Sequence, residues 1–174
     1  MSSDLRADLA AKLSGRVCVL GIGEGRWGDD GLGVQLAQSL ADAGCPNVVL
    51  AGSTPESWLG WIRQGGFENV LLLDALEFPG EPGSVVLLDS AQLRSRYPQV
   101  STHKLTLGTL ARLIEDEGTT GVCCLGVKPE SLAQVEGLSG PVKATLELLK
   151  ELLVEVLKRE GTEGTEGTEG TEGT

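Results

Sequence analysis

The sequence predicts an α/β protein: a three-layer α/β/α sandwich around a mixed, mostly parallel five-stranded sheet. Three observations lead to this prediction. Short apolar segments alternate along the chain with segments of helical periodicity. Glycine-rich turns join them, as in tight strand-to-helix connections. The connection between the third and fourth predicted strands, residues 75–83, is too short for a helical crossover, so these two strands should be antiparallel.

The predicted elements follow in order along the chain. Leu5, Leu9 and Leu13 have helical spacing and predict the first helix. Thr54 is predicted to be the N-cap of a later helix, with a proline directly after it. The strands are predicted at residues 17–20, 47–51, 69–74, 84–88 and 120–126, and the later helices at residues 34–44, 54–64, 106–117 and 141–159.

Length and composition indicate one domain with a tail. A chain of 174 residues with 40% hydrophobic content can bury one core. Residues 1–159 are therefore expected to form a single catalytic α/β domain. Residues 160–174 are five copies of Glu-Gly-Thr, which is too polar a triplet to bury, so we expect a disordered tail.

The charge and the cysteines limit the partners and the compartment. The net charge is −11, of which −6 belongs to residues 1–159. An acidic surface repels phosphate backbones and anionic lipids, so neither nucleic acid nor membrane insertion is expected. The N-terminus interleaves charges with apolar residues, unlike a signal peptide, and the four cysteines include no C-x-x-C pair. We therefore expect a cytoplasmic protein with reduced cysteines; the oligomeric state is left open.

Three polar residues at the predicted strand ends are the candidates for chemistry. Asp30 follows the first strand, Asp74 closes the third, and His103 lies in a polar loop before a helix. Two carboxylates and one imidazole can bind a borderline divalent ion and leave positions for water or substrate. Simpler roles stay open: Asp29 and Asp30 can cap a helix, and Asp74 can satisfy a turn. His103, the only histidine, can be an ordinary surface residue.

Two other chemistries are weaker alternatives. Residues 23–28 match G-x-G-x-x-G, the fingerprint of a dinucleotide- or phosphate-binding enzyme. However, Asp29 and Asp30 would place negative charge where a pyrophosphate must bind, and no acidic residue closes the second strand to hold a ribose. A serine or cysteine hydrolase is disfavoured because the chain has no G-x-S-x-G segment and its cysteines lie in predicted strands or at a helix end.

Several segments in order along the chain resemble the hydrogenase maturation proteases. The resemblance covers residues 17 to 157 and is greatest to the branch serving formate-hydrogenlyase or other energy-conserving hydrogenases. The segments that carry it are VLGIGEGRWGDDGLGVQLAQSL (19–40), GSTPE (52–56), LLLDALEFPGEPGSVVLLD (71–89), STHKL (101–105) and LGVKPE (125–130).

The resemblance implies an endopeptidase that removes the C-terminal extension from a nickel-loaded [NiFe]-hydrogenase large-subunit precursor. Asp30, Asp74 and His103 would be its catalytic residues and would ligate nickel that the precursor presents, with other divalent ions substituting in isolation. A noncatalytic metal-handling assembly protein is a further alternative. The chain departs from the family at Glu24, where Asn is usual. Because Glu24 cannot donate an amide proton, the shape of the first turn is in question.

Overall fold

The computed structural model describes residues 4–96, 105–116 and 118–163, with side chains to residue 159. These residues form the predicted α/β/α sandwich around a five-stranded sheet. The strands are β1 (Val17–Ile22), β2 (Val48–Gly52), β3 (Asn69–Ala75), β4 (Val85–Asp89) and β5 (Gly121–Val127). The helices are α1 (Leu5–Lys12), α2 (Leu32–Asp42), α3 (Leu59–Gln64), α4 (Ser90–Arg96), α5 (Leu107–Glu115) and α6 (Gly140–Glu163), with 3-10 turns at Gly28–Gly31 and Pro55–Trp58.

The sheet is mixed and mostly parallel, which confirms the predicted class. Its strand order is β2-β1-β3-β5-β4, and only β4 runs antiparallel to its neighbour. The predicted direction of β4 is right, but the expected pairing of β4 with β3 is wrong. Strand β5 lies between them, since Leu125 of β5 pairs with Leu73 on one side and with Leu87 on the other. Neighbouring strands are only about 4.8 Å apart, so the short connection can step over one strand.

Alternate residues of each strand pack against different helical layers. In β3, Leu71 and Leu73 face the layer of α1, α2 and α6, whereas Val70 and Leu72 face the layer of α3, α4 and α5. All four side chains are fully buried. The central strands are therefore apolar on both faces, which is why they appear in the sequence as continuous apolar runs without polar alternation.

The carboxyl edge of the sheet is the edge at which β1, β2, β3 and β5 end. Gly21 of β1 pairs with Leu73 of β3, so the residues that follow them, Ile22 and Asp74, are next in register. The first turn, residues 23–31, leaves β1 at this edge. The backbone N–H of Gly23 donates to the carbonyl of Gly52 at the end of β2 (3.0 Å). The ends of β2, β1 and β3 therefore lie side by side, and the hydrogen bond of Gly23 links the first two.

Two glycines allow α2 to lie directly on the strands. A Cβ added to Gly21 would lie 2.5 Å from the Cβ of Ala37 in α2. A Cβ added to Gly33, in the first turn of α2, would clash with the carbonyl oxygens of both Leu73 and Ile22. The atoms that a Cβ at Gly33 would meet belong to the backbone, so no side-chain movement can relieve that clash. The start of α2 is therefore fixed against the carboxyl edge.

One helix was not predicted from the sequence, although its start carries a signal. Asp89 accepts a hydrogen bond from the backbone N–H of Gln92 (2.8 Å), and the Gln92 side chain accepts one from the N–H of Asp89 (2.9 Å). This reciprocal pair is a capping box, and it begins α4 directly after β4.

Two predicted helix boundaries differ in detail. Thr54 occupies the predicted N-cap position, but its side chain makes no cap hydrogen bond, and a 3-10 turn precedes α3. Helix α6 continues through Glu163, beyond the predicted boundary at residue 159. Residues 164–174 of the predicted tail lie outside the described residues. Within the described ranges, none of the helices combines the length and apolarity that crossing a bilayer requires.

We predict that Gly33→Ala destabilises the protein by about 2 to 3 kcal/mol, because the new methyl group overlaps two fixed carbonyl oxygens. Gly60→Ala in α3 is the matched control, since a Cβ there meets nothing within 4 Å. The control should change stability by less than about 1 kcal/mol, on the stabilising side. Urea unfolding of both variants measures the difference; equal stabilities would contradict the close approach of α2.

Candidate active site

Asp30 lies at the carboxyl edge and is held by the first turn itself. Its Oδ2 accepts a hydrogen bond from the backbone N–H of Glu24 (3.0 Å). The 3-10 turn that carries Asp30 contacts the end of β3. A carboxylate has about four acceptor positions, so one hydrogen bond orients Asp30 and leaves capacity for a further ligand. This geometry is different from helix capping, because the N-cap of α2 is Gly31, which has no side chain to donate or accept.

The neighbouring Asp29 has a structural role instead. It is 1% exposed. Its carboxylate accepts the backbone N–H of Glu130 (2.8 Å), and the N–H and hydroxyl of Ser139 (2.7 and 2.9 Å), with a longer contact to the N–H of Ser131 (3.4 Å). These residues belong to the late loop, residues 128–139. Asp29 therefore fastens the late loop to the first turn, and a buried carboxylate is well compensated by several donors.

Asp74 lies one residue before the end of β3 and is 3% exposed. Its Oδ1 accepts a hydrogen bond from the backbone N–H of Ala75 (2.9 Å). By strand alternation the side chain lies on the face of α3, α4 and α5, together with Cys124 of β5. Burial raises the pKa of the Cys124 thiol well above its ordinary value, and the negative charge of Asp74 raises it further. The carboxylate of Asp74 is thus close to Cys124 in the middle of β5.

The structure brings Asp30 and Asp74 to the same edge of the sheet, as expected from their strand-end positions. The third predicted residue, His103, lies outside the described residues, and so does the rest of the predicted STH loop. Across the described ranges, no three His, Cys, Asp or Glu side chains are grouped closely enough to hold a metal ion. The described part of the predicted set is therefore a pair of carboxylates, Asp30 and Asp74.

The departure from the family at Glu24 leaves the first turn intact. The contact from this position to Asp30 is made by the backbone N–H, and the Glu24 side chain is exposed. Gly23 precedes it with a φ of 124°, a conformation that favours glycine. The turn therefore needs a glycine before residue 24 but does not need an amide side chain at residue 24.

One further carboxylate lies after β2 and was not predicted as a site residue. Glu56 is in the 3-10 turn Pro55–Trp58, and among the described side chains its Oε2 is buried without a hydrogen-bond partner. A buried carboxylate oxygen without a hydrogen-bond donor costs free energy, so this atom does not contribute to the stability of the fold. In the sequence Glu56 appears only as part of the segment GSTPE (52–56), and its burial has no local signal.

The cysteines are unsuited to nucleophilic catalysis. All four are free and buried. Burial raises the pKa of Cys18 and of Cys123 to about 12, and it also raises the pKa of Cys45. Because the thiolate is the nucleophile, thiols with raised pKa values are inert at neutral pH.

The dinucleotide alternative also finds no support in the geometry. The start of α2, where a pyrophosphate would bind, directly follows Asp29 and Asp30 and lies against the carbonyl oxygens of Leu73 and Ile22. Negative charge and carbonyl oxygens repel a phosphate group.

Comparisons with known proteins agree on one family. The model of the HycI family, described as hydrogenase maturation protease, matches residues 32–156. This range includes Asp74 and begins after Asp30. The hydrogenase 3 maturation protease of Escherichia coli K12 is 30% identical over 138 residues, which cover 78% of this chain and 86% of the relative.

Solved structures share the fold. The [NiFe] hydrogenase maturation protease HycI from Thermococcus kodakarensis KOD1 superposes with a TM-score of 0.77 at 31% identity, over 90% of this chain and 99% of its own. The hydrogenase maturating endopeptidase HybD from Escherichia coli superposes with a TM-score of 0.71 at 23% identity, over 84% of this chain and 94% of its own. At that lower identity HybD supports the fold alone.

We predict that Asp29→Ala lowers the free energy of unfolding by about 3 kcal/mol, because several buried donors lose a charged acceptor. Amide hydrogen exchange at Glu130 and Ser139 should accelerate more than in the rest of the protein. The matched control is Asp42→Ala, an exposed aspartate of α2 whose change should be within about 0.5 kcal/mol. Unchanged exchange at Glu130 and Ser139 would contradict the fastening role.

We also predict that the native protein resists thiol modification at pH 8, because the pKa of Cys18 and of Cys123 lies near 12 and both are buried. Ellman's reagent should label the four cysteines in denaturant, and it should label those of the native protein only at the rate of unfolding.

The same raised pKa values predict that the free energy of unfolding falls as the pH rises from 9 towards 12, because the unfolded thiols ionise in this range and the folded thiols do not. Fast labelling of the native protein at pH 8 would disprove the burial of the thiols, and a constant free energy of unfolding between pH 9 and 12 would disprove their raised pKa values.

Proposed function

Because this chain belongs to the hydrogenase maturation protease family and is therefore a peptidase, we propose that it removes the C-terminal extension from a [NiFe]-hydrogenase large-subunit precursor. In this proposal the nickel already inserted in the precursor is the recognition element. The enzyme cuts only when that metal is present. The metal belongs to the substrate, and side chains of the enzyme bind to it.

The observation that supports this proposal is the position of Asp30 and Asp74. Both carboxylates lie at the carboxyl edge, where sites gather in open α/β sheets. Each is oriented by a backbone N–H at about hydrogen-bond distance, from Glu24 and from Ala75 respectively. Preoriented oxygen ligands bind a metal with less loss of conformational entropy than mobile ones.

The proposed mechanism assigns His103 to the same site, on the sequence resemblance. Asp30, Asp74 and His103 complete the coordination of nickel that the precursor's own thiolates hold. The precursor is thereby fixed with its scissile carbonyl close to the metal. Polarisation of that carbonyl, or activation of a bound water, lowers the barrier to hydrolysis. Specificity then arises because the two proteins share the metal and neither binds it fully alone.

The state of the four cysteines is consistent with a reducing compartment. All four cysteines are free, as expected for a protein of the cytoplasm. We therefore keep the cytoplasm as the proposed location.

Two other functions make different predictions. A dinucleotide-binding enzyme should be stabilised thermally by NAD. A noncatalytic assembly protein should bind the precursor without changing its mass. Incubation with each large-subunit precursor from the same genome, analysed by intact mass, separates both from the endopeptidase.

We predict that Asp30→Asn, Asp74→Asn and His103→Ala each slow cleavage of nickel-loaded precursor by at least 100-fold. The two asparagine variants lose a negative carboxylate charge, and the alanine variant loses the imidazole nitrogen that would ligate the nickel. Single-turnover cleavage, followed by intact mass, measures the rates. Asp42→Asn is the control for loss of one surface carboxylate and should cleave as fast as the wild type. Full activity in all three site variants would remove the proposed site, and equal cleavage of nickel-free precursor would remove the proposed role of nickel.

A further inference from the structure

Three large apolar side chains are exposed beside the proposed site. Trp27 in the first turn is 41% exposed, and Leu132 and Val135 in the late loop are 48% and 56% exposed. Single exposed apolar residues are common on protein surfaces and need no explanation. These three differ because they come from two segments that are far apart in the sequence and are joined by specific contacts.

The contacts place the first turn against the late loop. The backbone N–H of Gly28 donates to the carbonyl of Val135 (2.7 Å). A Cβ added to Gly28 would lie 2.7 Å from the carbonyl oxygen of Ala133 and 3.7 Å from the Cγ2 of Val135. Gly28 also has a φ of 51°, so glycine is favoured here twice over. The Val135 side chain is thus next to the residue that follows Trp27.

A groove of about 450 Å³ runs between the two segments. Arg26 and Trp27 line it from the first turn, and Glu136 and Gly137 line it from the late loop. It therefore has an apolar wall at Trp27 and one charged side chain of each sign. A groove of this size can accept one or two side chains of a bound polypeptide.

The late loop is held in place although it contains no regular secondary structure. Asp29 binds it at both ends, near Glu130 and at Ser139, and the hydrogen bond from Gly28 holds its middle. The backbone that carries Leu132 and Val135 is therefore fixed, and both apolar side chains are exposed to solvent. Apolar side chains on a preordered loop reduce the entropy cost of binding a partner.

We propose that Trp27, Leu132 and Val135 form a docking surface for an apolar segment of the hydrogenase large-subunit precursor. This inference rests on the proposed function and extends it by naming where the precursor is held apart from its metal. The surface adjoins the proposed site along the chain, because Trp27 is the N-cap of the 3-10 turn Gly28–Gly31, which carries Asp30. A precursor whose metal is bound at Asp30 therefore lies close to Trp27.

The size of the surface favours a substrate segment over a second copy of the chain. A stable homodimer usually buries at least about 1,200 Å² with about 20 residues a side. The three side chains and the groove suit a short segment that is released after one cleavage. The surface would lower the KM for the precursor, whereas Asp30 and Asp74 act on the reaction itself.

The test uses the full chain and the large-subunit precursor that the wild type cleaves. Leu132→Ser combined with Val135→Ser, and separately Trp27→Ser, should raise the KM for nickel-loaded precursor at least tenfold while kcat changes less than threefold. Leu148→Ser is the matched control, because Leu148 is 69% exposed on α6. Its KM should equal that of the wild type. Thermal unfolding of every variant establishes that the fold is retained.

The outcomes are distinct. If both docking variants keep the wild-type KM, or if Leu148→Ser raises KM equally, the docking surface is disproved while the proposed function stands. If the wild type shortens no precursor, the proposed function fails, and the docking proposal fails with it. If sedimentation shows a wild-type dimer that the docking variants dissociate at unchanged KM, the surface is a contact between copies, and the proposal is overturned.

Discussion

The approach of a helix backbone to two strand ends determines most of what surrounds the proposed site. At Gly33 the start of α2 lies against the carbonyl oxygens of Ile22 and Leu73, with no room for a side chain between them. The chain must leave β1 and enter α2 within this narrow space. It does so through a glycine-rich turn that bends over the carboxyl edge. Asp30 is placed beside the end of β3 as a consequence of that packing.

The same turn divides two adjacent aspartates between different tasks. In a 3-10 turn successive side chains point about 120° apart, so neighbours cannot face the same surroundings. Asp29 points inward, where it is 1% exposed and binds the late loop. Asp30 remains at the edge, held by one backbone N–H. The buried aspartate therefore stabilises the scaffold on which the other aspartate is presented.

Much of the fold could be predicted from local patterns because the central strands are buried on both faces. The apolar runs of β1, β3 and β5 indicated buried strands, and the strand ends pointed to Asp30 and Asp74. The order of the strands could not be predicted in the same way, because the position of β5 between β3 and β4 depends on the packing of segments that are distant in the sequence. The partners of Asp29 are likewise more than 100 residues away in the sequence. No local sequence pattern indicates the position of β5 or the hydrogen-bond partners of Asp29. The capping box of α4, by contrast, is a local signal, because Asp89 and Gln92 are three residues apart in the sequence.

The burial of every thiol has a consequence for a protein proposed to inspect nickel inside another protein. Thiolates bind borderline metals more strongly than carboxylates do, and an accessible one would compete with the cysteines of the precursor for the ion. The four cysteine thiols of this chain are buried, and burial favours their protonated form, whereas carboxylates lie at the carboxyl edge. Under the proposed function, the enzyme would contact the metal without extracting it, and the nickel would stay in the hydrogenase.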